Sequence, residues 1–529
     1  MSIPTNQIEW LLDIYGHDDK KHAPKDVEKI NLSQLISKLG FFYEKFRNAI
    51  DYNEEHLVRR NSLERFLRRH ILFLQEKRPQ KISESLINEF IRARYLPNDT
   101  LPETVINEIA ATLEKYLIII SYVNGHKLNS AGQLTDWLIS IGSCEIDEQL
   151  IPVEKEMAMV NFMYSHLVDN LTFLKTSIEE KEKNLQIYIA TMRAFLKADP
   201  ATLRYRLLKL YLPNWNRLDQ GGIGEFLGNI DIIKNKIEAH LRHPIGFQLA
   251  HTARRQSVFF TILKEVMQKN QEQLPEIFND QEKLAKTVEE VCLTNYHRIR
   301  GRLIGSIFRV IIYIFFTKTI LAFILELPYD YFIIQKINWR ALGINVAFHP
   351  LLMFFVAITI RVPGAKNTQI IIQEIKKIVY GEERKILFKA KKLMKIGSVS
   401  YIIFNTLYAI MFAISFGIVV SALKILHFNI LSGILFIFFL TIVSFFGFRL
   451  RNYAKQLSVI PRKDNFLNFV ADFLSLPIIR VGQFFSTNFS KINIFLFILD
   501  FIIETPFKML VEFLEKAVSF IREKREEIE

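Results

Sequence analysis

The residues most able to do chemistry in this chain stand where charge is most expensive. Arg309 and Lys318 interrupt one long apolar run, Asn345, His349 and Pro350 fall within a second, and Asn405 and Thr406 within a third. Hydrocarbon solvates neither a charge nor an amide, so such residues are functional leads by default. His349 can exchange a proton, Asn345 lies one helical turn before it, and Asn405 and Thr406 are candidates to pair with it from the third run. Pro350 removes a backbone donor and is expected to kink its helix. Arg309 and Lys318 are nine residues apart, which at about 100° per residue places them on opposite faces of one helix. They are expected to extend their heads toward the headgroups and not to line a shared path. The runs themselves contain no Asp or Glu. Proton- or cation-coupled pathways usually include a buried carboxylate, so this absence argues against a coupled transporter.

Other polar groups are candidates for binding. Arg59, Arg60, Arg65, Arg68 and Arg69, in HLVRRNSLERFLRRH, form a basic cluster able to receive an anionic lipid, a phosphate or an acidic partner. Glu55 precedes Arg59, and Glu64 precedes Arg68, by one helical turn, so ion pairs along the helix account for part of it. A second basic set, Lys376, Lys377, Lys389, Lys391 and Lys392, lies between the second and third runs, where anionic inner-leaflet lipid would attract it. His240, His243 and His251 lack a carboxylate at a helical ligand spacing and are interrupted by Pro244, so no metal site is expected. Gly221, Gly222 and Gly224 lack the strand and the lysine that a phosphate loop requires, and read as a linker. HExxH, GxSxG and GxxxxGK[ST] do not occur. No catalytic residue and no cofactor is therefore assigned, and an enzyme is not the favoured reading.

The elements that hold these residues are set by length and polarity. Leu303 to Leu325, Ala341 to Ile360, Val399 to Leu423 and Asn429 to Phe448 are each apolar over the roughly 20 residues a helix needs to cross about 30 Å of hydrocarbon. None alternates with period two, which excludes barrel strands. Residues 1–300 contain equal numbers of basic and acidic side chains, so the whole net charge of +13 falls on the remainder. A nucleic-acid partner would call for a basic soluble domain instead. Ten basic residues occupy 361–398, and Arg449, Arg451 and Lys455 follow the fourth run, whereas the alternate connections hold only Lys336, Arg340 and Lys424. By the positive-inside rule the amino-terminal 300 residues are cytoplasmic, in a multi-pass protein of the plasma membrane. Trp339, Tyr329 and Tyr331 would mark the outer boundary.

The amino-terminal half reads as helices. NLSQLISKLGFFYEKFRNAI carries one apolar stripe, and Thr100, Pro102 and Glu103 resemble a capping box opening a helix that ends at Asn124 and Gly125. Further helices are expected near 83–95, 155–197, 201–212, 229–241, 253–270 and 280–299, with breaks at 143–152 and 213–224. The start lacks the basic and apolar regions of a cleaved signal. Cys144 and Cys292 are too far apart in sequence to suggest a disulfide framework. The fold class is all-α: helical regions at 1–150 and 151–300, forming one domain or two, four spans within 301–460, and an interfacial region at 461–529. In that last region Asp472, Pro477 and Arg480 interrupt 466–485, the stretch 483–503 offers an alternative crossing, and 505–521 is amphipathic.

These features favour a membrane-bound scaffold or assembly factor, in contact with anionic lipid and with protein partners or copies of itself. An oligomeric channel or transporter is the alternative, and a lipid-active enzyme using the Arg59 cluster a third.

Overall fold

The computed structural model describes residues 4–16, 30, 55–125, 131–174, 178–382, 385–389, 398–460 and 465–491. The predicted helix at 31–50 and the amphipathic segment at 505–521 lie outside them. The described residues are helical almost throughout, and the chain divides into two compact units. After α1 (Asn6–Gly16) come the helices of the first unit: α2 (Glu55–Arg68), α3 (Pro79–Arg92), α4 (Thr104–Gly125), α5 (Ala131–Leu150), α6 (Glu154–Asn170), α7 (Glu180–Phe195), α8 (Pro200–Tyr211) and α9 (Gln220–Leu241). β1 (Leu171–Leu174) follows α6 and pairs in parallel with β2 (Ile386–Lys389). The single long helix expected over 155–197 is thus interrupted by a strand.

One hydrophobic core fills this unit, running from Leu63 through Leu138 and Leu207 to Leu241 on both sides of residue 150. α5 is its centre. Trp137, Leu138, Ile139, Ile141 and Ile146 are all buried, so the helix has no polar face and its sequence shows no 3.6-residue period. For that reason 143–152 reads as a break although the helix continues to Leu150. Gly142 lets α4 approach, since a Cβ there would press at 3.3 Å on the Tyr116 ring. The glycine cluster at 221–224 belongs to the first turn of α9, not to a linker. Asp219 accepts from the Gly222 N–H at 2.8 Å, and this cap offsets the poor helix propensity of three glycines. Thr100 does not cap α4; its hydroxyl donates to the Pro97 carbonyl.

α10 (Pro244–Lys269) contains the boundary at 257/258. The second unit continues with α11 (Leu274–Phe278) and α12 (Gln281–Leu321), the latter extended to Ile334 by two wide π-helical turns, Ala322–Glu326 and Asp330–Ile334. Pro328 lies between these turns. It has no N–H to donate, and the wide turns accommodate the interruption without ending the helix. Then come α13 (Trp339–Thr359), α14 (Ala365–Tyr380), α15 (Ser398–Ile425), α16 (Ile430–Ala454) and α17 (Phe466–Lys491). Asn338 caps α13, and Asn429 caps α16. α14 ends on Gly381 at φ +74°, where any side chain would be strained and a Cβ would meet Thr5.

Among the described residues, five helices are long and apolar enough to cross a membrane: those containing 281–334, 339–359, 402–425, 430–454 and 469–487. The fifth corrects the sequence reading, which treated 466–485 as too interrupted to cross and placed an alternative at 483–503. α17 runs unbroken through Pro477 and packs on α16. A Cβ at Gly482 would overlap the Thr441 carbonyl, and Phe485 meets Phe438 at 5.3 Å, the order of contacts that antiparallel helices make. α12, α13 and α16 also pack together. At one contact Gly447 faces Val356, whose Cγ1 would lie 2.7 Å from an added Cβ. α13 likewise continues through Pro350.

Candidate functional site: a charged cluster inside the apolar helices

The sequence reading of Lys318 fails in one respect and holds in another. Lys318 and Arg309 do lie on opposite faces of α12: Arg309 is exposed and donates to the Gly305 carbonyl at 3.1 Å, one turn back. Lys318, by contrast, is completely buried and its head reaches no boundary. Its Nζ donates to Asn345 Oδ1 at 2.6 Å and lies 4.7 Å from the centre of the Phe439 ring. Glu326, also completely buried, stands 3.8 Å away. The amide of Asn345 bridges the two charges. Its Nδ2 donates to both Glu326 oxygens, at 2.7 and 2.6 Å, while its oxygen faces the ammonium.

The buried carboxylate absent from the apolar runs is supplied from just beyond the first of them. Glu326 follows the first apolar run by one residue, and the π turn brings it back into the bundle. Eight residues of regular α-helix would leave Lys318 and Glu326 about 80° apart around the axis, and the wider turn removes most of that offset. The backbone distortion is what makes the pair.

Further groups extend the cluster. Ser432 on α16 donates its hydroxyl to Glu326 at 2.8 Å, and its N–H is capped by Asn429 Oδ1 at 2.7 Å. Asn429 Nδ2 in turn donates to Asp330, which is only 4% exposed. Asn338 Nδ2 donates to the His427 carbonyl at 3.1 Å, tying the α12–α13 connection to the α15–α16 connection. On the other side of Asn345, His349 is completely buried among Phe348, Phe436 and Phe439. Its Nδ1 lies 3.1 Å from the Asn345 carbonyl and its Nε2 lies 3.0 Å from the Phe436 carbonyl.

Asn345 and His349 are thus brought together with Lys318, as one turn of α13 predicts for the first two. Asn405 and Thr406 are not. Both are exposed on α15, and both ring nitrogens of His349 face main-chain carbonyls instead. The residues missed by the sequence are Glu326, Asp330, Asn429 and Ser432. The signal for Asn429 was its place at the start of the fourth run, where an Asn ahead of an apolar stretch marks a helix cap; nothing local marked Ser432.

The basic cluster on α2 and the turn after it is drawn into ion pairs and hydrogen bonds within its own unit. Arg59 holds Asp147 through Nε at 2.5 Å and Nη2 at 3.0 Å. Arg60 holds Glu64 and Asp199, both at 2.7 Å, and Arg68 holds Glu64 at 3.2 Å and also Asp136. Arg69 holds Glu89 at 2.6 Å, and Arg65 donates to Ser62 at 2.8 Å. The Arg60–Glu64 and Glu64–Arg68 pairs are one helical turn apart, the latter as the spacing predicts, while Asp147, Asp199, Asp136 and Glu89 come from distant segments. Lys376 and Lys377 are half-buried on α14, with Lys377 3.3 Å from Glu374. Lys389 belongs to β2, in register with Leu174, while Lys391 and Lys392 lie outside the described residues. His240 bonds Glu182 and Tyr211, and Cys144 and Cys292 are free and buried.

The helical unit has a buried pair of its own. Lys115 on α4 donates to Glu145 on α5 at 2.7 Å and to the Trp215 carbonyl at 2.9 Å. The Tyr116 hydroxyl (2.8 Å) and Trp215 Nε1 (2.9 Å) complete the carboxylate. Burial pulls the Lys115 ammonium below its ordinary range, and Glu145 opposes that shift. Cys144, enclosed beside this region, has its thiol pushed up to about 12 by burial. No protein-family model matches the chain, and no curated protein or solved structure matches it.

Proposed function

We propose that the chain is a membrane-embedded, proton- or cation-coupled channel or transporter component, with its helical unit in the cytoplasm. One observation carries this reading: Lys318 and Glu326 are both fully buried among apolar helices and are bridged by the Asn345 amide, not held in direct contact. Ionised groups in such surroundings cost several kcal/mol each even after relaxation, a cost that a merely structural bundle avoids by using apolar side chains. The placement of Arg and Lys supports the orientation, with the basic connection 361–398 and Arg449 and Arg451 on the inner side. Exposed Trp339 and Tyr331 suit an outer boundary. With five crossings the end of α17 reaches that outer side, in place of the cytoplasmic carboxyl terminus that four crossings imply. Lys376 and Lys377 suit contact with anionic lipid.

The test is flux. Purified protein in liposomes, with a pH-sensitive dye inside and an imposed gradient of protons or of monovalent cations, is expected to relax the gradient faster than protein-free vesicles, and Asn345→Leu is expected to abolish the difference. Equal relaxation with wild type and without protein would reject transport by this chain alone.

A scaffold role is the second reading. It is favoured by large apolar side chains exposed on the helical unit, Phe73, Leu74, Leu210 and Ile232 among them, which suit protein partners or self-association. Recovery from mild detergent with neither a partner nor a second copy would count against it. The lipid-active enzyme is the least favoured reading, because Arg59, Arg60, Arg68 and Arg69 each hold a carboxylate of the same unit.

A further inference from the structure

We propose that Lys318 and His349 hold one exchangeable proton between them; this deepens the reading of the same cluster as a coupled transport site. The argument rests on unmatched hydrogen-bonding groups. An ammonium has three N–H donors, but Lys318 has one acceptor at bonding distance, Asn345 Oδ1, with Glu326 at 3.8 Å and the Phe439 ring making up the rest. His349 has the opposite problem. Both its nitrogens face carbonyls, which only accept, and a neutral imidazole carries a single N–H. One ring nitrogen then points a lone pair at an oxygen. Moving the proton satisfies the ring and leaves Lys318 with one N–H beyond its acceptor in place of two: it leaves Lys318 Nζ, whose bonding pair stays behind as the amine lone pair, and is taken by the free lone pair of the ring. Lys318 becomes a neutral amine, and the imidazolium donates to Asn345 O and Phe436 O.

Charge balance makes the two arrangements comparable. The groups facing this proton are Lys318 on α12, Glu326 and Asp330 on the π turns, and His349 on α13; α16 contributes Ser432, Phe436 and Phe439, which are uncharged. With either basic group protonated, the cluster formally holds one positive and two negative charges. The move therefore alters no net charge in a site where net charge is costly. Asn345 touches both positions, through its side chain to Lys318 and its carbonyl to His349. The string Ser432, Asn429, Asp330 connects Glu326 to the least buried carboxylate of the cluster.

The ring state of His349 can be read without a substitution. Phe348–His349 is the only Phe-His step in the sequence, so carbonyl-13C Phe with 15N His labelling picks it out of twelve histidines. In full-length protein in lipid nanodiscs, nitrogen NMR is expected to show a mixed neutral and imidazolium ring near neutral pH, together with a fraction of neutral amine at the Lys318 Nζ. Lys318→Met, which removes the competing base, is expected to make the ring fully imidazolium there. Lys318→Arg, which keeps its proton, is expected to hold it neutral over about pH 5 to 9. A ring that stays neutral over that range in the wild type, beside a Lys318 with no amine fraction, would overturn the proposal even if neither variant folds. The measurement needs no transport, so absence of flux leaves it standing, and flux beside a permanently neutral ring would keep a cation route while removing the proton.

Discussion

Two buried lysine–glutamate pairs in one chain are built to different ends. In the helical unit Lys115 and Glu145 touch directly, at 2.7 Å through Oε1, and Oε2 of that carboxylate takes two rigid aromatic donors, Tyr116 and Trp215. Among the apolar helices Lys318 and Glu326 stand 3.8 Å apart with a side-chain amide between them, and the network runs on to an imidazole and a second carboxylate. Both lysines also lie 4.7 Å from an aromatic ring centre. The surroundings, and not the residue types, separate a closed pin from an open chain of polar groups. A direct pair held from four sides by fixed partners gains from staying in place. A bridged pair with unmatched donors has somewhere else for its proton to go.

The largest effect is expected at the closed pair. Lys115→Met leaves Glu145 buried without its cation and should destabilise the helical unit by about 3–5 kcal/mol, while Lys115→Met with Glu145→Leu should recover most of the loss. Urea unfolding of the full chain followed by tryptophan fluorescence reports this through Trp215. Recovery no better than additive would mean that the pair is not a unit.

Glu326→Gln should cost less, about 1–2 kcal/mol, because Lys318 retains the Asn345 oxygen and the Phe439 ring and can release its proton. Thermal unfolding in detergent, compared with the Lys115 variant, would reverse the contrast between the pairs if the bridged one proved the more sensitive.

The pairs also differ in how pH should act on the closed one. Because burial lowers the Lys115 ammonium, the unfolded chain takes up this proton first as pH falls from above 10.5, so stability from this residue is lost on going down to its folded value and does not fall further below it. Relative to Lys115→Met, the wild type should therefore gain stability as pH rises toward 10.5. A flat difference between the two curves would show that the ammonium is not held down.

Smaller effects test the periphery. Arg59→Met should cost about 0.5–1 kcal/mol, since the Asp147 pair is only partly buried, and should leave sedimentation with anionic vesicles unchanged. A loss of vesicle binding would make the α2 cluster a lipid site after all. Cys144, with its thiol pushed up to about 12, should react with a maleimide at pH 8 only after unfolding.

How much of the molecule was legible follows from where each group sits in its element. The spans were readable because roughly twenty apolar residues in a row fit hydrocarbon far better than they fit a water-facing helix, and Asn345 with His349 because one helical turn aligns them. Glu326 was hidden by a change of helical pitch: regular α geometry points it away from Lys318, and nothing in Ala322 to Glu326 announces a wide turn except the proline just after it. α17 was hidden because Asp472 and Arg480 read as breaks, whereas both are exposed on a helix whose Gly482 side is pressed on α16. The acids that occupy the α2 arginines come from as far as Asp147 and Asp199, and pairing at that separation leaves no local pattern.

The wide turn at 322–326 makes the chain sensitive to length as well as to composition. Deleting Ile324, a residue whose own side chain faces outward, would let the segment relax to ordinary pitch and swing the Glu326 carboxylate around the axis, away from its amide. The spacing between a lysine and a glutamate is thus a measured quantity in this protein, and losing one indifferent residue between them would undo what substituting it would spare.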